Sequence, residues 1–271
     1  MGTGDGVGLF PHRLPKERLG RAHLSLEEYH DAIKHETTRC KEYSLVVVTE
    51  RAKRRILLGL KHRGFGKDMY NSFGGKLDEG ETDLECAVRE LQEETGIEVP
   101  ASHLAKHKVG RMHFTFQDSP SKMLVHVYKL NIFCGGRGEA TSDSYPIDPT
   151  RIRPCEEISP QWFDDWKGIP LDRMFADDSL WLTRLLESKQ QIKMDGYFHF
   201  KPGGQQVNTI CHYYLDEKRS LEQRLFHALH TERIHSPSIK EFKEAFAFTN
   251  AVRSFFAKDI FDIVMDVAGG H

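Results

Sequence analysis

No apolar run among these 271 residues approaches the ~20 positions that a membrane-spanning helix needs, so no membrane partner is expected. The N-terminus has no apolar signal core, and its sparse basic residues (Arg13, Lys16, Arg18, Arg21) make a poor transit peptide. The five cysteines (Cys40, Cys86, Cys134, Cys155, Cys211) are odd in number, widely spaced and without a C-x-x-C pair. That usage speaks against a disulfide framework or a thiolate zinc site and favours reduced thiols inside the cell. Fifteen histidines include no H-E-x-x-H helix signature. Neither sign of charge prevails: 38 Lys and Arg against 40 Asp and Glu leave a net −2. Nothing electrostatic therefore recommends a nucleic-acid polymer as partner. The expectation is an intracellular, cytoplasmic protein, with nucleus and mitochondrion left open.

What is present is enough for a core. Hydrophobic residues at 39% argue against global disorder. Residues 1–40 read as an N-terminal extension in which Ser25-x-x-Glu28 opens a short helix to about Lys34. From Tyr43 the pattern turns to strands. "SLVVVTE" is β-branched without alternation, as expected of a strand buried on both faces, and "RILLGLK" follows after a charged turn. "VGRMHFTFQD" and "MLVHVYKLNIFC" read as a second strand pair, and "GYFHF" with "TICHYYL" as a late hairpin. Between them, residues 135–154 are rich in Gly, Ser, Asp and Pro and read as one long loop, and "DDSLWLTRLLES" reads as a helix. Residues 216–271 read as a helical extension, with a second capping box at Ser238-x-x-Glu241. The central domain is thus 41–215.

One stretch is far more acidic than its surroundings: "GGKLDEGETDLECAVRELQEETGIEV", from Gly74 to Val99. The spacing predicts a helix from Thr82 to Thr95 ended by Gly96 in a left-handed cap. Glu90, Glu93 and Glu94 then share one face, Arg89 lies four residues before Glu93, and Leu84, Ala87, Val88 and Leu91 face the core. Like charges so placed repel one another, which disfavours the helix unless something binds them. Oxygen-only ligands converging on one face suit a hard divalent cation such as Mg²⁺ or Mn²⁺. Gly74 and Gly75 let backbone approach where a side chain would block.

Gly75, Glu81, Arg89, Glu90, Glu93, Glu94, Gly96 and Ile97 satisfy G-x5-E-x7-R-E-U-x-E-E-x-G-U at every position, U being apolar. That pattern resembles the signature of the Nudix hydrolases. The resemblance implies an α/β/α sandwich with a mixed sheet and hydrolysis of a nucleoside diphosphate linked to another group. It also implies Mg²⁺ held by Glu90, Glu93 and Glu94 with the Gly74 carbonyl, and a water assisted by one of them with the late-loop Glu157.

The flanks "ILLGLKHRGFGKDMYNSFGGKLDEGET" and "RELQEETGI" are similar to the MutT-type branch that acts on oxidised purine nucleoside triphosphates, over roughly Tyr43 to Leu215. By position that similarity implies a small-molecule nucleotide pocket lined by Ser44, Lys61, Phe65, Asn71, Phe114, Met123 and Phe175. Asp177 and Asp178 would read the base edge, one of them protonated so that it donates. Phe175 replaces the branch's tryptophan, Ser44 its threonine, and the 135–154 loop is longer. Taken alone, Asp177 also reads as a helix cap. The function implied is sanitation of the nucleotide pool by conversion of 8-oxo-dGTP to 8-oxo-dGMP and diphosphate, and through it DNA repair. A dinucleoside polyphosphate, the mRNA cap, and a non-catalytic nucleotide-binding module remain as alternatives.

Overall fold

The computed structural model describes residues 22–34, 40–117, 119–135, 143–188, 192–201 and 209–218. The expected C-terminal helical extension, including the Ser238 capping box, lies outside these apart from residues 216–218. Strands β1 (Ala22–His23), β2 (Cys40–Glu50), β3 (Arg55–Lys61), β4 (Tyr70–Asn71), β5 (Lys108–Phe116) and β6 (Ser119–Phe133) come first. They are followed by β7 (Tyr145–Pro146), β8 (Ile158–Asp164), β9 (Lys193–Phe200) and β10 (Ile210–Lys218). Among the described residues four helices accompany them: α1 (Leu26–Lys34), α2 (Asp83–Thr95), α3 (Ala101–Leu104) and α4 (Asp178–Glu187). The sheet order is β1-β10-β9-β5-β6-β2-β3-β4, with β7 beside β6 and β8 beside β3. Parallel pairs (β2 with β6, β5 with β9) alternate with antiparallel ones (β5 with β6, β2 with β3, β3 with β8), so the sheet is mixed.

The β-branched run behaves as its lack of alternation predicts. Val46 and Val48 pack with Ala87 and Leu91 of α2, whereas Val47 packs with Trp181, Leu182 and Leu185 of α4. The sheet therefore lies between α2 and α4, the sandwich expected. Leu91 is fully buried, a contribution of about 2 kcal/mol by transferred area. The Ser25 box forms with both bonds, Ser25 N–H to Glu28 at 2.7 Å and Glu28 N–H to Ser25 Oγ at 3.2 Å. The helix it opens is tied in: Tyr29 stacks on Tyr214 at 4.3 Å, and β1 pairs with β10.

Two elements depart from the sequence reading. β2 starts at Cys40 rather than Tyr43, because residues 40–42 continue the ladder opposite Lys122–Leu124 of β6. The Gly- and Pro-rich stretch is also not wholly loop. Tyr145 and Pro146 pair with Ile132 and Phe133, and Ile147 N–H reaches the Phe133 carbonyl at 3.0 Å. Asp148 then accepts from Thr150 N–H at 2.9 Å and opens a short turn over Pro149–Arg151.

Candidate active site

β3 has β8 along one edge, while its other edge is shared by β2 and β4. The chain leaving β4 consequently runs back along β2. Phe73 and Val46 exchange N–H···O bonds at 2.6 and 3.2 Å, and Ser44 N–H reaches the Gly75 carbonyl at 3.0 Å. Glycine is required here by closeness: a Cβ on Gly74 would lie 2.0 Å from the Ser44 carbonyl oxygen. A Cβ on Gly75 would lie 2.2 Å from Glu90 Oε1, so the bare backbone is what lets Glu90 rest on the loop.

Helix α2 opens with Thr82, whose hydroxyl accepts from Glu85 N–H at 3.3 Å while Glu85 accepts from Thr82 N–H at 2.8 Å. It closes at Gly96, φ 75°, the left-handed cap expected. Its first turn is also pinned from the side. Asp83 accepts from Tyr128 and Lys108, both at 2.5 Å, and the Ser44 hydroxyl donates to the Asp83 carbonyl.

The three helix glutamates differ in setting. Glu94 is buried and accepts from Gly74 N–H at 2.7 Å; burial pushes it up to about 8, against the pull of that N–H and of Lys61. Glu90 is raised by burial and by the nearby Glu93 and Glu157 charges, against the Arg89 guanidinium that donates to it at 2.8 Å. Glu93 is exposed and accepts from Arg89 at 3.3 Å, the i,i+4 pair expected. Arg89 spends most of its fork elsewhere. It grips both oxygens of Glu81 at 2.8 and 2.9 Å, and its hydrogen bonds hold that carboxyl down at about 2.

Glu157, four strands away in sequence order, reaches the same place because β8 lies along β3. Lys61 Nζ donates to it at 3.2 Å and His62 N–H to its carbonyl at 2.8 Å. Burial would raise the Glu157 carboxyl, but the Lys61 and Arg63 contacts outweigh that and lower it.

The residues expected to form the base pocket come from the loop after β3, from β4, β5 and β6, and from the start of α4. Phe114 and Met123 are directly opposed on β5 and β6, and both are half-buried. Phe65 is the exposed large hydrophobic side chain among the described residues, at 51%. It stacks on Phe175 at 5.1 Å and 14°. Asn71 is half-buried and its side-chain amide oxygen Oδ1 accepts from Ser72 N–H at 2.8 Å. Asp177 and Asp178 are both buried. The capping alternative for Asp177 does not hold: its side chain makes no cap bond and instead accepts the Trp181 indole N–H at 2.9 Å. Burial pushes it up to about 6. Ser44 is 1% exposed, and its hydroxyl donates to the Asp83 carbonyl, tying β2 to the first turn of α2.

The NUDIX domain model matches residues 41–178. The chain is 37% identical over 181 residues to the oxidized purine nucleoside triphosphate hydrolase of Danio rerio, covering 67% of this chain and 97% of that one. It is 39% identical over 175 residues to the mouse (Mus musculus) protein of the same name, covering 65% and 94%. The chain belongs to the Nudix family. Among solved structures it is similar to the mutator MutT protein of Bacillus halodurans, with TM-score 0.45 and 23% identity over 65% of this chain and 97% of that one.

Nudix hydrolases generally use divalent metals, and the donor chemistry here fits one. Glu90, Glu94 and Glu157 are mutually repelling oxygen donors, and burial has already made ionised Glu94 costly. Among the described residues no three of these side chains close on a common point. Each is engaged by partners of its own: Arg89 on Glu90, the Gly74 N–H on Glu94, and Lys61 with Arg63 on Glu157.

Several neighbours of the expected site residues escaped the sequence reading. Arg63 reaches Glu157 at 3.5 Å, and Phe116, Phe198 and Phe200 extend the aromatic row from Phe114. The alternation in "HFTF" and "YFHF" carried the signal for that row. Nothing local signalled Arg63.

Proposed function

We propose that this chain hydrolyses oxidised purine nucleoside triphosphates, 8-oxo-dGTP in particular, to the monophosphate and diphosphate, and so keeps damaged precursors out of DNA. The observation that carries this reading is identity of 37–39% across nearly the whole length of two proteins named for that substrate class. The intact glutamate helix supports catalysis over a binding-only module. The catalytic domain is taken as 41–215, with 1–40 and 216–271 as extensions, and the partner as a small-molecule nucleotide.

In this reading Glu90, Glu93, Glu94 and the Gly74 carbonyl would hold Mg²⁺, or Mn²⁺. Such a cation, when bound, neutralises the polyphosphate and acidifies coordinated water. The chain's own groups do the rest. Arg89, anchored on Glu81, fixes Glu90 and Glu93 in one orientation. Glu157, poised by Lys61, accepts the proton of the attacking water as it approaches phosphorus. Phe65 and Phe175 supply faces for a purine, and Asn71 and Asp178 polar edges. Asp177, raised by burial, is the carboxyl suited to donate while protonated.

Steady-state turnover with Mg²⁺, followed by chromatography of the nucleotide products across 8-oxo-dGTP, dGTP, a dinucleoside polyphosphate and a cap analogue, tests this. The highest kcat/KM is expected for 8-oxo-dGTP. A preference for the dinucleoside polyphosphate or the cap would overturn the substrate assignment, and tight nucleotide binding with no turnover would overturn the enzyme.

A further inference from the structure

In the free protein Glu157 is clamped on both oxygens, by Lys61 on Oε1 at 3.2 Å and by Arg63 on Oε2 at 3.5 Å. The two clamps are unequal. The Lys61 side chain is 14% exposed, whereas Arg63 is 63% exposed and sits at the limit of hydrogen bonding. Exposed pairs of that kind contribute little and exchange readily. Arg63 stands at the open end of a glycine turn, with room around it. Gly64 and Gly66 have φ +72° and +79°, and a Cβ on Gly64 would meet nothing within 4 Å. Arg89 is already committed to Glu81, Glu90 and Glu93, so it is not available for an incoming polyphosphate. A guanidinium fork matches phosphate oxygens better than it matches one carboxylate oxygen at long range.

We infer that Arg63 is a polyphosphate-binding residue, parked on Glu157 in the free protein and transferred to the β- and γ-phosphates of a bound triphosphate. The exchange frees one oxygen of Glu157 as the phosphates arrive, so that the carboxylate is released only when substrate is present. This rests on the triphosphate reading above.

Arg63→Ala and Arg63→Lys, compared with the unaltered chain, test it by steady-state kinetics on 8-oxo-dGTP with Mg²⁺ and by product inhibition. For Arg63→Ala, KM should rise about ten-fold, with inhibition by diphosphate weakened by a similar factor. Inhibition by 8-oxo-dGMP, which lacks those two phosphates, should move less than about two-fold on the same accounting. The lysine variant should recover part of the loss. An unchanged KM would overturn the inference, as would equal weakening of diphosphate and monophosphate, which would mean a general disturbance of the site. If the unaltered chain turns over no oxidised purine triphosphate, the functional reading fails instead. The Arg63 comparison is then read from calorimetric binding of Mg²⁺-diphosphate, where equal affinity of the two proteins would refute it.

Discussion

Gly75→Ala should uncouple catalysis from folding. The new Cβ would stand 2.2 Å from Glu90 Oε1, 2.4 Å from its Cδ and 2.8 Å from Oε2. Carbon and oxygen need well over 3 Å, so the carboxylate must retreat by about 1 Å. What retreats is the end of a flexible side chain, and no positive φ marks Gly75. The folding cost should therefore stay within about 1 kcal/mol, within the usual range for a single substitution. The catalytic cost should be much larger, because a misplacement of that size at a reacting centre is worth about a hundred-fold in rate. The assay is kcat for diphosphate release from 8-oxo-dGTP, run beside thermal denaturation of the same preparations. A kcat within two-fold of the unaltered chain would refute the claim that Glu90 must rest on the loop, on the scale where ten-fold is about 1.4 kcal/mol. Loss of activity with a collapse in Tm would show that the glycine serves folding instead.

Arg89→Lys should fail to rescue what Arg89→Ala destroys. A single ammonium cannot grip both Glu81 oxygens while also orienting Glu90, so kcat should stay at least about ten-fold down in both variants; near-normal kcat in the lysine variant would contradict this. Asp177 yields a pH prediction. Its folded carboxyl, raised by burial from 3.8 to about 6, holds its proton more tightly than the unfolded chain does. The stability it contributes is therefore present at low pH and is lost as pH rises through that interval. Asp177→Asn still accepts from Trp181 but cannot ionise, so its Tm relative to the unaltered chain should climb between those pH values; a constant difference would refute the burial of a carboxylate there.

The helix was legible because its function is written in local spacing. Glu90, Glu93 and Glu94 lie within five residues, and Thr82 and Gly96 mark its ends. β3 was legible to the residue because an apolar run between charged turns has few alternatives. The parts that were not legible depend on partners distant in sequence. Arg63 meets Glu157 across 94 positions, and β7 needs β6 as its template although its composition is that of a turn. Ser44 and Asp177 show a second limit. Each side chain also binds a neighbour that packing alone selects, the Asp83 carbonyl for Ser44 and the Trp181 indole for Asp177.

The central claim is that the carboxylate face of α2 breaks the phosphoanhydride bond of an oxidised purine triphosphate. Diphosphate release from 8-oxo-dGTP with Mg²⁺, measured side by side for the unaltered chain and Glu90→Gln, tests it most directly. Steady turnover by the first and none by the second is expected, with unchanged thermal denaturation. Equal turnover by the two proteins would contradict it.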